Sequence, residues 1–242
     1  IFAKMNIAEA LDRDLSKRSW AGETVAIGTA TDAYQPVEAH LKLTRACLEV
    51  FLRHQNPCTV VTKSRLVRRD LDLWQELSQL PGSRVYCTIT TLDERIWRIA
   101  EPGTPPPIQR LETLRHLSSN GVRTGVLMAP VLPGITDSEA SINAVAAAVA
   151  DAGAETFWVS PLRLDPGVKE HYFAWIRNEF PDLMRRYEIS YDDRHLSADY
   201  HHRIEAICQA ARERYGLAER SYRGTEPKRK QPSRPVLQLS LV

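Results

Sequence analysis

Polar side chains follow four apolar, β-branched runs of the chain, each at the point where the run ends. The first set is Gly28-Thr29-Ala30-Thr31-Asp32, and the second is Thr62-Lys63-Ser64. Thr88 and Thr90 end the third run, and Ala129-Pro130 ends the fourth. If the runs are parallel strands, their carboxyl ends share one edge of a sheet, where α/β folds bind their ligands. The hydroxyls, the carboxylate and the ammonium group together predict a site for a polar small molecule.

Each of these side chains also has a structural interpretation. Lys63 either holds a carboxylate or phosphate as a point charge, or extends past a strand end into solvent. Thr88 and Thr90 are two residues apart, so both face one side of a strand and can bind a ribose, but threonine is also common in strands. Asp32 is either a ligand-binding residue or a turn or cap residue before the next helix. The residue types alone leave these alternatives open.

The elements that must position these residues alternate along the chain. Five apolar runs predict strands, at Thr24–Thr29, Cys58–Thr62, Arg84–Thr90, Thr124–Ala129 and Glu155–Ser160. Helical periodicity indicates helices at about Asn6–Ser16, Val37–His54, Leu66–Leu80, Pro107–Ser119, Asp137–Asp151, Val168–Phe180 and Asp199–Tyr215. Alternating strands and helices predict an α/β fold whose parallel sheet closes fully or partly into a barrel.

Composition excludes several classes of protein. With 242 residues, 43% of them hydrophobic, the chain can bury a core of ordinary size. A net charge of +2 is too small to indicate a dedicated nucleic-acid binder. No apolar run is long enough to cross a membrane, and the start does not resemble a signal peptide. The scattered cysteines favour a reducing, cytoplasmic compartment, because they match neither a disulfide framework nor a metal site; they are Cys47, Cys58, Cys87 and Cys208.

The sequence contains none of the common nucleotide-binding or metal-binding motifs that would indicate another class of protein. The sequence has no Gly-x-Gly-x-x-Gly fingerprint and no phosphate-binding loop, which argues against a dehydrogenase or a nucleoside triphosphatase. The seven histidines lack the spacing of a zinc site. We therefore predict no metal ligands in this chain.

A family resemblance is visible at the strand ends. It rests on segments whose combination and order are specific: Ile1-Phe2-Ala3-Lys4-Met5-Asn6, Gly28 to Pro36, Val61-Thr62-Lys63-Ser64, Thr88 to Asp93, Glu101-Pro102-Gly103-Thr104 and Ala129 to Gly134. Over residues 1 to about 169 the sequence resembles the radical S-adenosylmethionine (radical SAM) superfamily, and within it the spore photoproduct lyase-like group of DNA repair lyases.

The resemblance implies a partial (β/α)6 barrel over residues 1–165, with the first strand and the cluster loop absent from this chain. A C-terminal helical extension at 166–222 and a basic, flexible tail at 223–242 would follow. S-adenosylmethionine would lie across the strand ends beside a [4Fe-4S] cluster, which an external electron donor reduces. The resemblance assigns the methionine amino and carboxylate ends to Thr31 and Lys63, the ribose to Thr88 and the adenine to the Ala129 backbone. Thr29, Asp32 and Thr90 complete the predicted cofactor-binding set.

Two departures from the family pattern limit this expectation. The family holds its cluster with a Cys-x-x-x-Cys-x-x-Cys loop, which this chain lacks; we expect those cysteines upstream of Ile1, the alternative being a degenerate relative without radical chemistry. Thr29 occupies the position of the cysteine that gives a hydrogen atom to the substrate radical in spore photoproduct lyase, and a threonine O–H is a far poorer donor. The catalytic residue is therefore left unassigned.

Three functions follow from these residues. The first is a radical SAM enzyme that cleaves S-adenosylmethionine to a 5′-deoxyadenosyl radical and acts on an unknown substrate, with a nucleic acid as the candidate. The second is a cofactor-free (β/α) barrel lyase with Lys63 as a Schiff-base amine. The third is a non-catalytic nucleic-acid-binding protein that uses surface arginines and the basic stretch 223–234.

Overall fold

The computed structural model describes residues 3–191, 196–218 and 238–239. Its sheet is parallel throughout, in the order β5-β4-β3-β2-β1-β6. The strands are β1 (Val25–Ile27), β2 (Cys58–Thr62), β3 (Arg84–Thr88), β4 (Thr124–Val131), β5 (Thr156–Pro161) and β6 (Gln238–Leu239). The α/β fold and the five strands predicted from apolar runs are confirmed. The two-residue β6, which pairs with β1, was not predicted because the whole stretch 223–242 was expected to be a basic, flexible tail.

The helices follow the strands as the alternating pattern predicts. They are α1 (Ile7–Leu15), α2 (Glu38–Leu41), α3 (Leu43–Arg53), α4 (Leu71–Leu77), α5 (Glu94–Ala100), α6 (Pro107–Ser119), α7 (Glu139–Asp151), α8 (Val168–Glu179), α9 (Met184–Ser190) and α10 (Ala198–Tyr215). Two 3-10 helices cover Arg65–Asp70 and Pro181–Leu183. In the part of the chain that the structure describes, no helix is long and apolar enough to cross a membrane.

The helices pack on one face of the sheet. Register places Cys87, Val126 and Phe157 side by side across β3, β4 and β5, and all three are buried in a core with α6, α7 and α10. Because side chains alternate along a strand, the neighbouring row that contains Tyr86 and Gly125 faces the other side. Helices on the outside and a second, inner face are the arrangement of a partial barrel wall.

Two predicted helices are each divided in two. The helix predicted at Val37–His54 breaks at Lys42, whose φ of 52° lies in the left-handed region. The break lets the buried Glu38 carboxylate accept a hydrogen bond from the Arg45 N–H in the first turn of α3. The helix predicted at Leu66–Leu80 begins as the 3-10 helix Arg65–Asp70 instead. Apolar periodicity contains no signal for either change, because both depend on buried charged groups.

The segment after β5 packs on the barrel through α10 and through an aromatic cluster. Ile204, Cys208 and Ala211 of α10 belong to the same apolar core as α7. Tyr172 of α8 lies with its ring centroid 5.7 Å from that of Tyr187 of α9. The division at residue 165 stays a prediction, and apart from 238–239 the predicted tail 223–242 lies outside the described residues.

Candidate functional site

The loop after β1 passes very close to β2. Gly28 has a φ of +82°, and a Cβ at this position would lie 2.5 Å from the Val61 carbonyl oxygen. Only glycine combines that left-handed backbone with so close an approach. Beyond it Thr29 is exposed, whereas the Thr31 hydroxyl oxygen is buried and has no hydrogen-bond partner within the described residues. An unpaired buried hydroxyl costs stability unless a ligand or water satisfies it. Thr156, at the start of β5, has the same status, and of the two only Thr31 lies at the edge where the strands end.

Asp32 joins this loop to the end of β2. Its Oδ1 accepts hydrogen bonds from the Thr62 hydroxyl at 2.7 Å and from the Tyr34 N–H at 2.9 Å. Its Oδ2 accepts one from the Lys63 N–H at 2.8 Å. The bond to Tyr34 matches the turn interpretation of Asp32. The same carboxylate fixes where the Lys63 backbone begins its loop, so Asp32 positions the neighbouring candidate residue.

A network of charged side chains and one tyrosine, the closed network, anchors the loop after β1; it consists of Tyr34, Glu38, Arg45, Arg69 and Asp70. Arg69 binds both oxygens of the fully buried Asp70, at 2.9 and 2.7 Å. Arg45 donates to Asp70 at 3.1 Å, and Tyr34 donates its hydroxyl to Asp70 at 3.1 Å. Burial, followed by the charge of Asp70, raises the pKa of the Tyr34 hydroxyl. Because Tyr34 stays protonated, it remains a donor that holds the loop in place.

Lys63 belongs to a second cluster, the open network, which consists of Lys63, Thr90, Glu101 and Arg110. The Lys63 Nζ lies 3.6 Å from Glu101 Oε1, longer than a hydrogen bond, and its side chain is 34% exposed. Thr90 donates its hydroxyl to the same Oε1 at 3.2 Å. Arg110 donates to Glu101 Oε2 at 2.6 Å. Lys63 therefore reaches the strand ends with its N–H donors available.

Arg110 fixes Glu101 and the end of β3 together. Its side chain is 1% exposed. Nη1 donates to the Thr88 carbonyl oxygen at 2.9 Å, and Nε donates to the Pro105 carbonyl oxygen at 2.8 Å. Nη2 also donates to the Thr104 hydroxyl at 2.7 Å. One buried guanidinium thus ties the strand that contains Thr88 to the loop that contains Glu101.

The loop after β4 forms the fourth side of the site. The pairing of β4 with β5 shifts register between Met128 and Val131, so Ala129 lies in an irregular stretch of strand. Further along, Asp137 accepts hydrogen bonds from the Gly134 N–H at 2.8 Å and from the Tyr200 hydroxyl of α10 at 3.0 Å. Burial, and after it the charge of Asp137, raises the pKa of Tyr200. The C-terminal helix therefore holds this loop against the barrel.

The structure brings the predicted residues to one edge of the sheet. Asp32, Lys63 and Thr90 are connected through the hydrogen bonds and the ion pair described above, and Thr88 is connected through its backbone. Thr29 and Thr31 lie on the loop after β1, and Ala129 lies in the irregular stretch of β4. The sequence analysis missed Arg110, although one signal was present: a charged residue falls on the apolar stripe of a helix, next to Leu111 and one turn before Leu114.

The cysteines do not form a cluster site. They are buried on four different elements, α3, β2, β3 and α10. Burial raises the pKa of the Cys47 and Cys87 thiols to about 12, whereas a metal ligand must be a thiolate. Within residues 3–191 and 196–218, no three His, Cys, Asp or Glu side chains are grouped so that they could hold a metal ion. These residues do not fit an iron–sulfur cluster.

Comparison with known proteins agrees with this architecture. The family model of the radical SAM superfamily matches residues 5–143, which include the loops after β1, β2, β3 and β4. The chain belongs to the radical SAM superfamily. An uncharacterized protein of Mycobacterium tuberculosis is 33% identical over 191 residues, covering 79% of this chain and 56% of the relative. Another, of Methanocaldococcus jannaschii, is 30% identical over 126 residues, covering 52% of this chain and 47% of the relative. The chain spans about half the length of these curated relatives.

Solved structures show the same fold. Spore photoproduct lyase complexed with dinucleoside spore photoproduct superimposes with a TM-score of 0.68 and 16% sequence identity, over 90% of this chain and 66% of that chain. A mutant of the same enzyme with bound S-adenosylmethionine and dinucleoside spore photoproduct gives a TM-score of 0.64 at 17% identity, with the same coverage of both chains. The radical SAM fold of the spore photoproduct lyase type predicted from the sequence is thereby confirmed.

Proposed function

We propose that this chain is the S-adenosylmethionine-binding barrel of a radical SAM enzyme. The observation that carries the proposal is the pairing, at the strand ends of a radical SAM domain, of a buried hydroxyl without a partner and an ammonium with available donors, Thr31 and Lys63. A cofactor with a carboxylate, an ammonium group and a ribose offers partners to both. The S-adenosylmethionine bound by a protein of the same fold supports this choice.

Each candidate residue would bind a definite part of the cofactor. Lys63 would bind the methionine carboxylate as a point charge, and the Thr31 hydroxyl would bind the amino end. Thr88 and Thr90 would face the ribose, and the irregular backbone at Ala129 would contact the adenine. Asp32 would act by holding Lys63, and Thr29 would lie exposed at the mouth.

When bound, S-adenosylmethionine supplies a sulfonium whose reductive cleavage yields a 5′-deoxyadenosyl radical. The electron for that cleavage comes from a [4Fe-4S] cluster in this superfamily. The residues that the structure describes do not fit such a cluster. What this chain contributes is binding, orientation and the fixed charge of Lys63 and its neighbours.

For the substrate we propose a nucleic acid. Arg65 and Arg68 follow Lys63 on the 3-10 helix after β2, and neither makes an ion pair within the described residues. Guanidinium groups beside a site favour phosphate oxygens. Because Thr29 stands where spore photoproduct lyase uses a thiol, we propose a reaction that takes no hydrogen atom from that position.

Calorimetric titration with S-adenosylmethionine tests the proposal. Wild-type protein should bind, and Lys63→Met should bind about 10- to 100-fold more weakly, because a hydrogen bond to a charged group contributes about 1.5–3 kcal/mol. Lys42→Met, at an exposed lysine between α2 and α3, is the matched control and should bind like wild type. Failure of the wild-type protein to bind would contradict the proposal.

Iron and acid-labile sulfide analysis tests the enzyme as a whole. The anaerobically reconstituted complete gene product should contain about four irons, the content of a single [4Fe-4S] cluster, and the 242-residue chain should contain none. Absence of iron from both would favour the cofactor-free lyase, for which borohydride should trap a carbonyl substrate on Lys63.

A further inference from the structure

We infer that Glu101 is a positioning residue that holds the Lys63 ammonium ready for the carboxylate of the cofactor. The inference rests on the proposed function and extends it to a residue that does not itself need to touch the ligand. It starts from one observation: a single carboxylate connects the ends of β2 and β3 with α6, through Lys63, Thr90 and Arg110.

Glu101 is itself held in place. Its Oε2 is bound by Arg110 at 2.6 Å, and its Oε1 accepts the Thr90 hydroxyl at 3.2 Å. Its backbone carbonyl oxygen accepts the Thr104 hydroxyl at 2.7 Å. The side chain is 10% exposed, so it has little freedom to follow a ligand into solvent. A fixed carboxylate beside a flexible lysine limits the positions that the lysine samples.

The distance between the two groups leaves Lys63 free to bind. At 3.6 Å the Nζ is attracted to Glu101 without a hydrogen bond, and an ammonium group has three N–H donors. Lys63 can therefore lie between two carboxylates, one from Glu101 and one from the ligand. A ligand carboxylate would normally be repelled by Glu101, but the Arg110 guanidinium at 2.6 Å offsets that charge.

This arrangement predicts which ligands depend on Glu101. Glu101 acts through Lys63, so it should matter for a ligand that carries a carboxylate and not for the same ligand without one. S-adenosylmethionine and decarboxylated S-adenosylmethionine form that pair, because they differ at this group alone. If Glu101 had only a structural role, its substitution would weaken the binding of both ligands.

The first measurement is calorimetric titration of both ligands. Glu101→Gln should weaken S-adenosylmethionine binding about tenfold and leave the binding of decarboxylated S-adenosylmethionine within about twofold of wild type, since one charge-assisted contact is affected. In a Lys63→Met background, Glu101→Gln should have no further effect. Glu112→Gln, at an exposed position of α6, is the matched control. Equal weakening of both ligands, or tighter binding of S-adenosylmethionine, would overturn the inference.

The second measurement needs no ligand and separates this inference from the proposed function. Acetic anhydride labelling, read by peptide mass spectrometry, should modify Lys63 about two- to fivefold faster in Glu101→Gln than in wild type, because Nζ is no longer held beside a carboxylate and is more accessible to the reagent. The exposed Lys42 serves as the internal reference. Faster labelling in a protein that binds no S-adenosylmethionine would refute the proposed function alone. Unchanged labelling would refute the positioning role.

Should Glu101→Gln fail to fold, Thr90→Val provides the same test. It removes the hydroxyl that holds Glu101 Oε1 and keeps both charges. Labelling without ligand is the readout for this variant, because Thr90 also faces the proposed ribose site. Lys63 should be modified about twofold faster than in wild type, a smaller change than in Glu101→Gln, since the variant loses one hydrogen bond. Unchanged labelling would count against the inference.

Discussion

The closed network and the open network are both built around a carboxylate that arginine binds inside the fold. In the closed network, Asp70 is fully buried, and Arg45, Arg69 and Tyr34 all donate to it. In the open network, Glu101 is bound by Arg110, whose side chain is 1% exposed, and by Thr90, but its third neighbour is the part-exposed Lys63.

The two networks differ in whether their cationic side chains have N–H donors available to a ligand. A buried ion pair is weak evidence of function, because desolvation of its charges offsets much of their attraction. The closed network holds a loop, and its donors are directed at groups of the protein. The open network ends at an ammonium at the boundary with solvent, where a ligand can reach it. Available donors at a strand end, rather than buried charge, distinguish the candidate site.

The largest effect expected is on the closed network. Asp70→Ala leaves Arg69 and Arg45 without their shared carboxylate, and should lower the free energy of unfolding by about 3–5 kcal/mol. Urea denaturation measures this loss. At a temperature where the variant stays folded, its affinity for S-adenosylmethionine should fall by less than that of Lys63→Met, since Asp70 acts on the site only by anchoring the loop after β1 and has no contact with Lys63. A variant that is fully stable but fails to bind would reverse the roles assigned to the two networks.

The second largest effect is expected at Gly28, which lies between the two networks. Gly28→Ala places a Cβ 2.5 Å from the Val61 carbonyl oxygen at a φ of +82°, and should cost about 2–4 kcal/mol through strain and displacement of the loop. Gly103→Ala is the control, because its φ is +78° but its Cβ would meet nothing within 4 Å. It should cost only about 1 kcal/mol, the conformational part. Thermal denaturation of both variants measures the difference, and equal losses would show that the close approach to β2 is unimportant.

A smaller effect depends on pH. Burial, and after it the charge of Glu38 in the closed network, raises the pKa of the Cys47 thiol from 9.0 to about 12. A raised pKa means that the stability contribution is complete below pH 9 and is lost as the pH rises toward 12. Between pH 7 and pH 10, wild type should lose about 1 kcal/mol more than Cys47→Ala, measured by urea denaturation at both values. Identical losses would contradict the burial of this thiol.

The smallest effect belongs to an ion pair outside both networks. Glu94 and Arg98 form an exposed pair on α5 at 2.6 Å. Glu94→Gln should change stability by only about 0.3 kcal/mol, because solvent screens exposed pairs. A loss above about 1 kcal/mol in chemical denaturation would mean that exposure is a poor guide to which ion pairs matter in this protein.

Much of the fold could be predicted from the sequence, because buried strands and amphipathic helices leave apolar patterns. The predicted bounds of Pro107–Ser119 are reproduced, and Val168–Phe180 is off by one residue. The site was predicted in part, since polar residues at strand ends are visible in the order of residues. Glu101 and Arg110 were not assigned roles, because Glu101 meets Thr90 eleven positions before it and Arg110 nine after it. Such contacts depend on the path of a loop, which periodicity does not describe.

Helix α5 ends one residue before Glu101, and its position on the surface affects where this protein can be changed. Helix α5 contributes no buried side chain, while Asp93 caps its start and Glu101 is held at its end. Substitutions at its exposed positions, Glu94, Arg95 and Arg98, should therefore leave the core and the ligand site unchanged, whereas Trp97 donates to the Thr104 hydroxyl at 3.1 Å. A reporter dye or an affinity tag at one of these exposed positions would lie close to the site at little cost to folding.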